Sequence, residues 1–509
     1  MRRLFLALSL LALAACATTP QPEPETKPEP APAPQAEAPK PPEDPDAWRT
    51  QTPAPGKPPN LVLPTFEEAK LDNGLTVIVN SRRELPLVYV GLAFATGSAQ
   101  DPAGQGGLAD LTYKMLLEGA DGKDTIALDN AFADLGVSPT VSVQPDGALI
   151  GVRVLTRNAD PALALLSNVA RKPTFAQKDF DRRKKQQLAD LVRRMGIPWV
   201  LAQQAYLETV FGAAHPYGHT PSGVPASVEK ISLQDVKRFY QKNLGPKAAA
   251  LVVVGDVTKQ QAVDWAKKYF GDWKGEAVLP AAPPAPPAPP RDALYVVYKP
   301  GLEQTVVMTG RPGVALGHPD EYALDLATTV FGGFFGSRLN MNLREAKGYT
   351  YGAGANSDAR FGVGPLTAFS QVRADVTGPA VTEFVRELTD IKSRPISSKE
   401  LEAAREGLIR SFPGFFETVE GVGASAATIF QKRRPMDEFA RQITGLEKAT
   451  PAEVQRVAEA YLNPASMQLI LVGDPDIIQQ QVGPLNLGKL SQVDVSGTGM
   501  PAQSKTGKR

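Results

Sequence analysis

Two stretches of this chain match each other without a gap. "VKRFYQKNLGPKAAALVVVGDV" begins at Val236, and "VQRVAEAYLNPASMQLILVGDP" begins at Val454, an offset of 218 residues. In that register Val236, Arg238, Pro246, Gly255 and Asp256 meet Val454, Arg456, Pro464, Gly473 and Asp474. Each stretch reads as an amphipathic helix, a proline turn, and a buried strand closed by Gly-Asp. A register kept across helix, turn and strand implies a duplicated domain, and a period this long excludes a solenoid.

The two halves also open alike. "GLTVIVN" (74–80) and "LVYVGLAFATGSA" (87–99) are strand-like and lead into a helix, "GLADLTYKMLLEGA" (107–120). "ALYVVY" (293–298) and "TVVMTGRPG" (305–313) lead into "DEYALDLATTVFGG" (320–333) in the same way. Strands followed by helices, twice over, predict an α+β chain of two duplicated domains, each a mixed or antiparallel sheet with helices packed on it. The proline tract "PAAPPAPPAPP" (280–290) separates them, so the domains are expected at 61–279 and 293–482 with a linker at 280–292. From 483 to 509 the sequence reads as a disordered tail.

With 55 basic and 54 acidic residues among 509, the balance gives no electrostatic case for nucleic acid. The single cysteine, Cys16, rules out a disulfide framework and a Cys-based zinc site in the body. It ends the leader: Arg2 and Arg3 precede an apolar run too short to span a bilayer, closing on "LALAAC". That pattern resembles a bacterial lipoprotein lipobox, which implies a signal peptide at 1–15, lipidation of Cys16 and a periplasmic protein. Ala17 in the next position implies sorting to the outer membrane. Residues 16–60 then read as a lipid-anchored tether, since 15 prolines in the 44 residues from Ala17 to Asn60 cannot build a core. Fully extended, that stretch would reach roughly 130 Å.

Within 107–120, Leu108, Leu111 and Met115 form one apolar face, and Asp110, Tyr113 and Lys114 stand beside it at i, i+3 and i+4. Three polar groups so spaced could point into one cleft, as a helix does to hold a metal, yet none is a histidine. The chain has three histidines. His215 and His219 are separated by Pro216 and Gly218, and His318 precedes Pro319, so all three are expected in loops.

"LDNGLTVIV", "GSAQDPAGQGGLADLTYKMLLEGA", "HPYG", "LVVVGDV" and "SRLNMNLREAKGYTYGAGA" together, in order along 61–480, resemble the pitrilysin/insulinase family of inverzincin metallopeptidases. The resemblance implies that each chain forms half of a clamshell. In active members the helix carries H-x-x-E-H, with two zinc-binding histidines and a glutamate that activates water. Here those positions hold Asp110, Tyr113 and Lys114, and the nearest match to the third ligand is Asp190. An ammonium repels Zn²⁺ and a phenol is a poor base at neutral pH, so no zinc is expected in this chain. Asp110 and Lys114 could instead pair along the helix or stay solvated separately.

The second half keeps what the first lacks. Arg344 stands seven residues before Tyr351 in "LREAKGYTYG", the spacing of the Arg/Tyr pair that the family uses in its zinc-free half. A guanidinium can hold a substrate carbonyl or carboxylate, and a phenol can stabilise a developing oxyanion. Tyr349 competes for the role, since alternate residues of a strand share a face. The resemblance therefore implies a non-catalytic, substrate-binding subunit of a heterodimeric zinc peptidase acting on peptides in the cell envelope. It would contribute Arg344 and Tyr351 in trans to a zinc-bearing homologous partner. An inactive scaffold and a peptide-binding lipoprotein acting alone are the other readings.

Overall fold

The structure is a computed structural model that describes residues 61–288 and 293–495, together with Asp46 and Arg49. The leader, Cys16, most of the tether and the last fourteen residues lie outside the described residues. Residues from Leu61 onward belong to one compact unit, so the duplicated domains are two lobes of a single body. No helix among the described residues is long and apolar enough to cross a membrane.

The N-terminal lobe runs β1 (Glu67–Lys70), β2 (Thr76–Ser81), β3 (Leu87–Phe94), α1 (Leu108–Met115), β4 (Gly119–Ala120), β5 (Lys123–Asp124) and α2 (Thr125–Ala133). It continues with β6 (Thr140–Val143), β7 (Ala148–Leu155), α3 (Ala159–Arg171), α4 (Gln177–Arg194) and α5 (Pro198–Phe211). It closes with α6 (Pro225–Val228), α7 (Leu233–Asn243), β8 (Ala249–Gly255) and α8 (Lys259–Phe270). The C-terminal lobe runs β9 (Ala293–Tyr298), β10 (Gln304–Pro312), α9 (Glu321–Thr328), α10 (Arg338–Asn340), β11 (Thr350–Ser357) and β12 (Pro365–Arg373). Then follow α11 (Thr377–Ser393), α12 (Ser398–Phe415), α13 (Val419–Gln431), α14 (Glu438–Lys448), α15 (Pro451–Tyr461), β13 (Gln468–Gly473), α16 (Pro475–Val482) and β14 (Lys489–Gln492).

The two six-stranded sheets have the same plan. The first is ordered β1-β2-β8-β3-β7-β6 and the second, read from its far edge, β14-β9-β13-β10-β12-β11. In each, one central pair is parallel (β2 with β8, β9 with β13) and the three strands that follow add antiparallel. The mixed sheets are as expected, and β8 and β13 are the strands of the 218-residue register. The lobes differ at one edge, where β1 joins antiparallel and β14 parallel. That last strand corrects the expectation of disorder from 483 onward. The β14–β9 ladder satisfies the backbone, and Leu485, Leu487 and Leu490 pack on the core. Val495 beyond it is also buried.

Strand alternation divides each sheet between two helical layers. In the N-terminal lobe Val77, Val79, Val88, Val90, Leu251 and Val253 face that lobe's own helices, among them Leu108 and Leu111 of α1 and Val236 and Phe239 of α7. Their neighbours Ile78, Tyr89, Val252 and Val254 face the other way, into a cluster that contains Val422, Ala426 and Ala427 of α13. The C-terminal sheet returns the exchange: Val306, Met308, Ile470 and Val472 pack on Leu201, Ala202 and Ala205 of α5. Each lobe thus lends one helix to cover the other's sheet, which is why the strands read as continuous apolar runs.

Close approach at these crossings requires glycine. A Cβ at Gly423 would lie 2.2 Å from the Tyr89 ring, and one at Gly310 would lie 2.6 Å from the Tyr206 ring. The Tyr206 hydroxyl donates to the Leu366 carbonyl at 2.8 Å, fixing α5 to β12. The described part of the proline tract, 280–288, lies along this body as a fastened strap. His215 accepts the Tyr217 N–H at Nδ1, so its Nε2 carries the proton and donates to the Pro284 carbonyl at 3.0 Å. Arg433 donates to the Pro280 carbonyl at 2.5 Å.

Candidate functional site

Helix α1 starts behind Gly107, whose φ of 101° favours glycine. Asp101, six residues upstream, caps it: its carboxylate accepts the N–H of Gly107 at 2.8 Å and of Ala109 at 2.7 Å. Burial pushes the Asp101 carboxyl well up, against the pull of those backbone donors.

One turn on, Asp110 is 7 % exposed and accepts from the Lys114 ammonium at 2.7 Å, so the two charges pair along the helix. Burial nevertheless raises the Asp110 carboxyl above its ordinary value, opposed first by Lys114 and then by the fields of Arg194 and Arg183. Tyr113 does not join them. Its side chain turns into the core, fully buried between Phe94 and Phe239, and its hydroxyl donates to the Thr96 carbonyl at 2.9 Å. Desolvation drives its ionisation far above the usual phenol range. The expectation that three polar groups share one cleft is therefore corrected: a phenol at 113 finds an aromatic slot and a carbonyl behind the helix.

Asp190 stands apart as well. Its side chain is 59 % exposed and pairs with Arg193 on its own helix α4. The inner face of α4 is taken by buried Leu191 and by Gln187, whose amide donates to the carbonyls of Gly107 and Ser222 at 3.3 and 3.0 Å. Among the described residues no group of three or more His, Cys, Asp or Glu side chains stands together to hold a metal ion. One carboxylate already engaged by an ammonium is a poor fit for zinc, which takes three protein ligands at a catalytic site. His219 and His318 lie in loops with His215, as their prolines and glycine predict.

In the C-terminal lobe Arg344 sits on a wide helical turn, Met341–Ala346, with its guanidinium 4.7 Å over the Phe335 ring and its Nε 3.4 Å from Glu345. Tyr351 lies on β11 and is 89 % exposed. The structure separates it from Tyr349, which packs half-buried against the core just before the strand. Register breaks between Thr350 and Ala353, so simple alternation fails there. Asn340 repairs the break. Its Oδ1 accepts the Ala353 N–H at 2.8 Å and its Nδ2 donates to the Ala353 carbonyl at 2.6 Å, tying the helical turn before Arg344 to the strand of Tyr351.

The model described as insulinase, peptidase family M16, matches residues 76–195, and that of the peptidase M16 inactive domain matches residues 230–408. The chain belongs to the peptidase M16 family. The non-peptidase homologue YmxG of Helicobacter pylori is 23 % identical over 406 residues, 76 % of this chain and 88 % of that one. Other M16 relatives of similar identity are named zinc proteases. A crystal structure titled peptidase M16 inactive domain, from Pseudomonas fluorescens, superposes with a TM-score of 0.74 at 26 % identity, covering 80 % of this chain and 98 % of that one. A chain of complex III2 from Candida albicans has the same fold at 16 % identity, with a TM-score of 0.70 over 83 % of this chain and 99 % of its own.

Within this M16 chain, sequence reasoning missed Asn340 and Asp101, because both act through side-chain bonds to backbone groups six or more residues away. The signal was present only for Asp101, as a lone acid upstream of a Gly-Gly helix start.

Proposed function

We propose that this chain is the non-catalytic, substrate-holding subunit of a two-chain M16 peptidase, paired with a zinc-bearing homologue and held in the cell envelope by a lipidated Cys16. One observation carries the reading: the two lobes have been treated oppositely. At the zinc-motif positions an ion pair and a buried phenol leave no ligand set, whereas Tyr351 and Arg344 both stay exposed. An exposed, rigidly mounted Arg/Tyr pair with nothing of its own to act on suits a site completed by a second chain. Arg344 would grip a peptide carbonyl or carboxylate, and the Tyr351 phenol would donate to the oxyanion that forms on attack. A name given to one relative, non-peptidase homologue, accords with this.

The test is peptidase kinetics of the chain mixed with its zinc-bearing homologue. The pair should cleave peptides that neither cleaves alone, and Tyr351→Phe should lower turnover ~10²–10³-fold with little change in ground-state binding. Unchanged turnover in an intact Tyr351→Phe complex would remove the shared-site mechanism and favour a scaffold.

A further inference from the structure

A cavity of about 420 Å³ opens where the lobes meet. That size lies within the ~300–1,000 Å³ typical of ligand pockets. Its N-terminal wall is the end of β6 at Val143, the Arg194–Trp199 junction of α4 and α5, and the loop from His219 to Ser222. The opposite wall is Asn356 near the end of β11, with Arg360, Thr367 and Phe369. Both β6 and β11 are edge strands, so the cavity lies between two sheet edges. The walls are fixed to each other through Asp146, which accepts from the Tyr217 hydroxyl at 2.5 Å and from the Phe361 N–H at 3.0 Å.

Charge in this cavity is unbalanced. Arg360 is answered by Asp358, Nε to Oδ2 at 2.8 Å. Arg194 has no such pair: it donates to the Ser222 hydroxyl at 3.3 Å, no described carboxylate lies within ion-pair distance of it, and Asp110, which feels its field, is bonded to Lys114. His219 adds no second cation. Burial lowers its basicity, and its Nδ1–H donates to the Thr220 carbonyl at 3.0 Å, leaving Nε2 as an acceptor. Trp199 and Phe369, edge-to-face at 4.7 Å, supply an apolar surface. One guanidinium without an ion pair, in a cavity with two aromatic rings and between two edge strands, fits a peptide carrying a single carboxylate.

We propose that this inter-lobe cavity binds a peptide carboxylate, with Arg194 as its anchor. The inference deepens the substrate-holding reading and rests on it. The carboxylate is that of a chain terminus or an Asp/Glu side chain, and three decapeptides built on one parent sequence without Asp or Glu, each carrying an uncharged BODIPY label, distinguish them. The first has a free C-terminus, the second is amidated, and the third is amidated with one internal Glu. Binding to the full chain is followed by anisotropy, with Trp199 emission as a second signal.

At least one carboxylate peptide should bind about 10- to 100-fold more tightly than the neutral one, the range of a charge-assisted hydrogen bond. Arg194→Gln should erase that difference. Thr367→Phe fills the cavity from the other lobe, leaves Arg194 in place, and should weaken the same peptide. It answers the question if Arg194→Gln fails to fold. Equal binding of all three peptides, or a difference that survives both substitutions, overturns the proposal. Loss of this selectivity in a pair that still cleaves through Tyr351 defeats the pocket alone. Selective binding in a pair without cleavage defeats the shared-site reading alone.

Discussion

Asp110 and Tyr351 show how differently the two lobes hold their functional positions. Asp110 sits on a helix whose next turn is sealed by Tyr113 against Phe94 and Thr96, and its charge is taken up by Lys114. Tyr351 rises from a broken strand register that Asn340 stitches from beneath, and the phenol is left to solvent. The first site has been absorbed into packing, so its residues now serve stability. The second uses packing only below the side chain, so a residue is positioned without being consumed. The position that the family resemblance assigns to the base is here a core position, with no void left behind it.

The strongest way to break this contrast is to put the metal motif back. Asp110→His, Tyr113→Glu and Lys114→His together empty an aromatic slot and bury a carboxylate next to the Thr96 carbonyl. We expect a loss of about 4 kcal/mol in unfolding free energy. Denaturant melts check it, and a triple variant as stable as the parent would show that α1 is not packed shut.

A smaller effect is expected on the other side. Asn340→Ala leaves the Ala353 N–H and C=O without their partner and should lower stability by about 1–3 kcal/mol. Amide exchange should rise at Ala353 and neighbouring β11 positions while β8 stays protected. Uniform exchange across both sheets would mean that Asn340 supports the whole fold rather than the mounting of Tyr351.

The smallest effect has a definite sign. Burial raises the Asp110 carboxyl, so the folded state favours its protonated form. That contribution is complete below the ordinary carboxylate range and is lost as pH rises through the raised folded value. Asp110→Asn should therefore melt within about 0.5 kcal/mol of the parent at neutral pH, or above it, and should lose less stability between pH 4 and 7. A clear drop at neutral pH would mean that the Lys114 pair outweighs the burial.

Much of this architecture could be read from the chain because local pattern and duplication agree. The Val236 and Val454 stretches gave helix, turn and strand in both lobes, and the sheets have one plan. The strand order could not be read, since β2 and β8 pair across more than 170 residues and nothing local encodes that neighbour. β14 was missed because "KLSQ" has little strand propensity and relies on β9 for its ladder. At the site, the Asp110–Lys114 spacing allows either a pair or two solvated charges, and the inward turn of Tyr113 depends on a slot made by Phe94, Thr96 and Phe239. Spacing from Arg344 picks Tyr351 over Tyr349; the register break that sets the two apart is something no periodicity reveals.

The exchange of α5 and α13 bears on the order in which this chain can mature. Synthesis completes the first sheet at Gly255, 164 residues before Val419, where the helix that covers Tyr89, Val252 and Val254 begins. The C-terminal sheet, by contrast, finds α5 already waiting. The first lobe therefore remains half-clothed until the second is nearly complete, and a product ending before Val419 keeps an apolar sheet face bare. Neither lobe is a module that can be cut out at the proline tract; the strap joins two parts that finish each other.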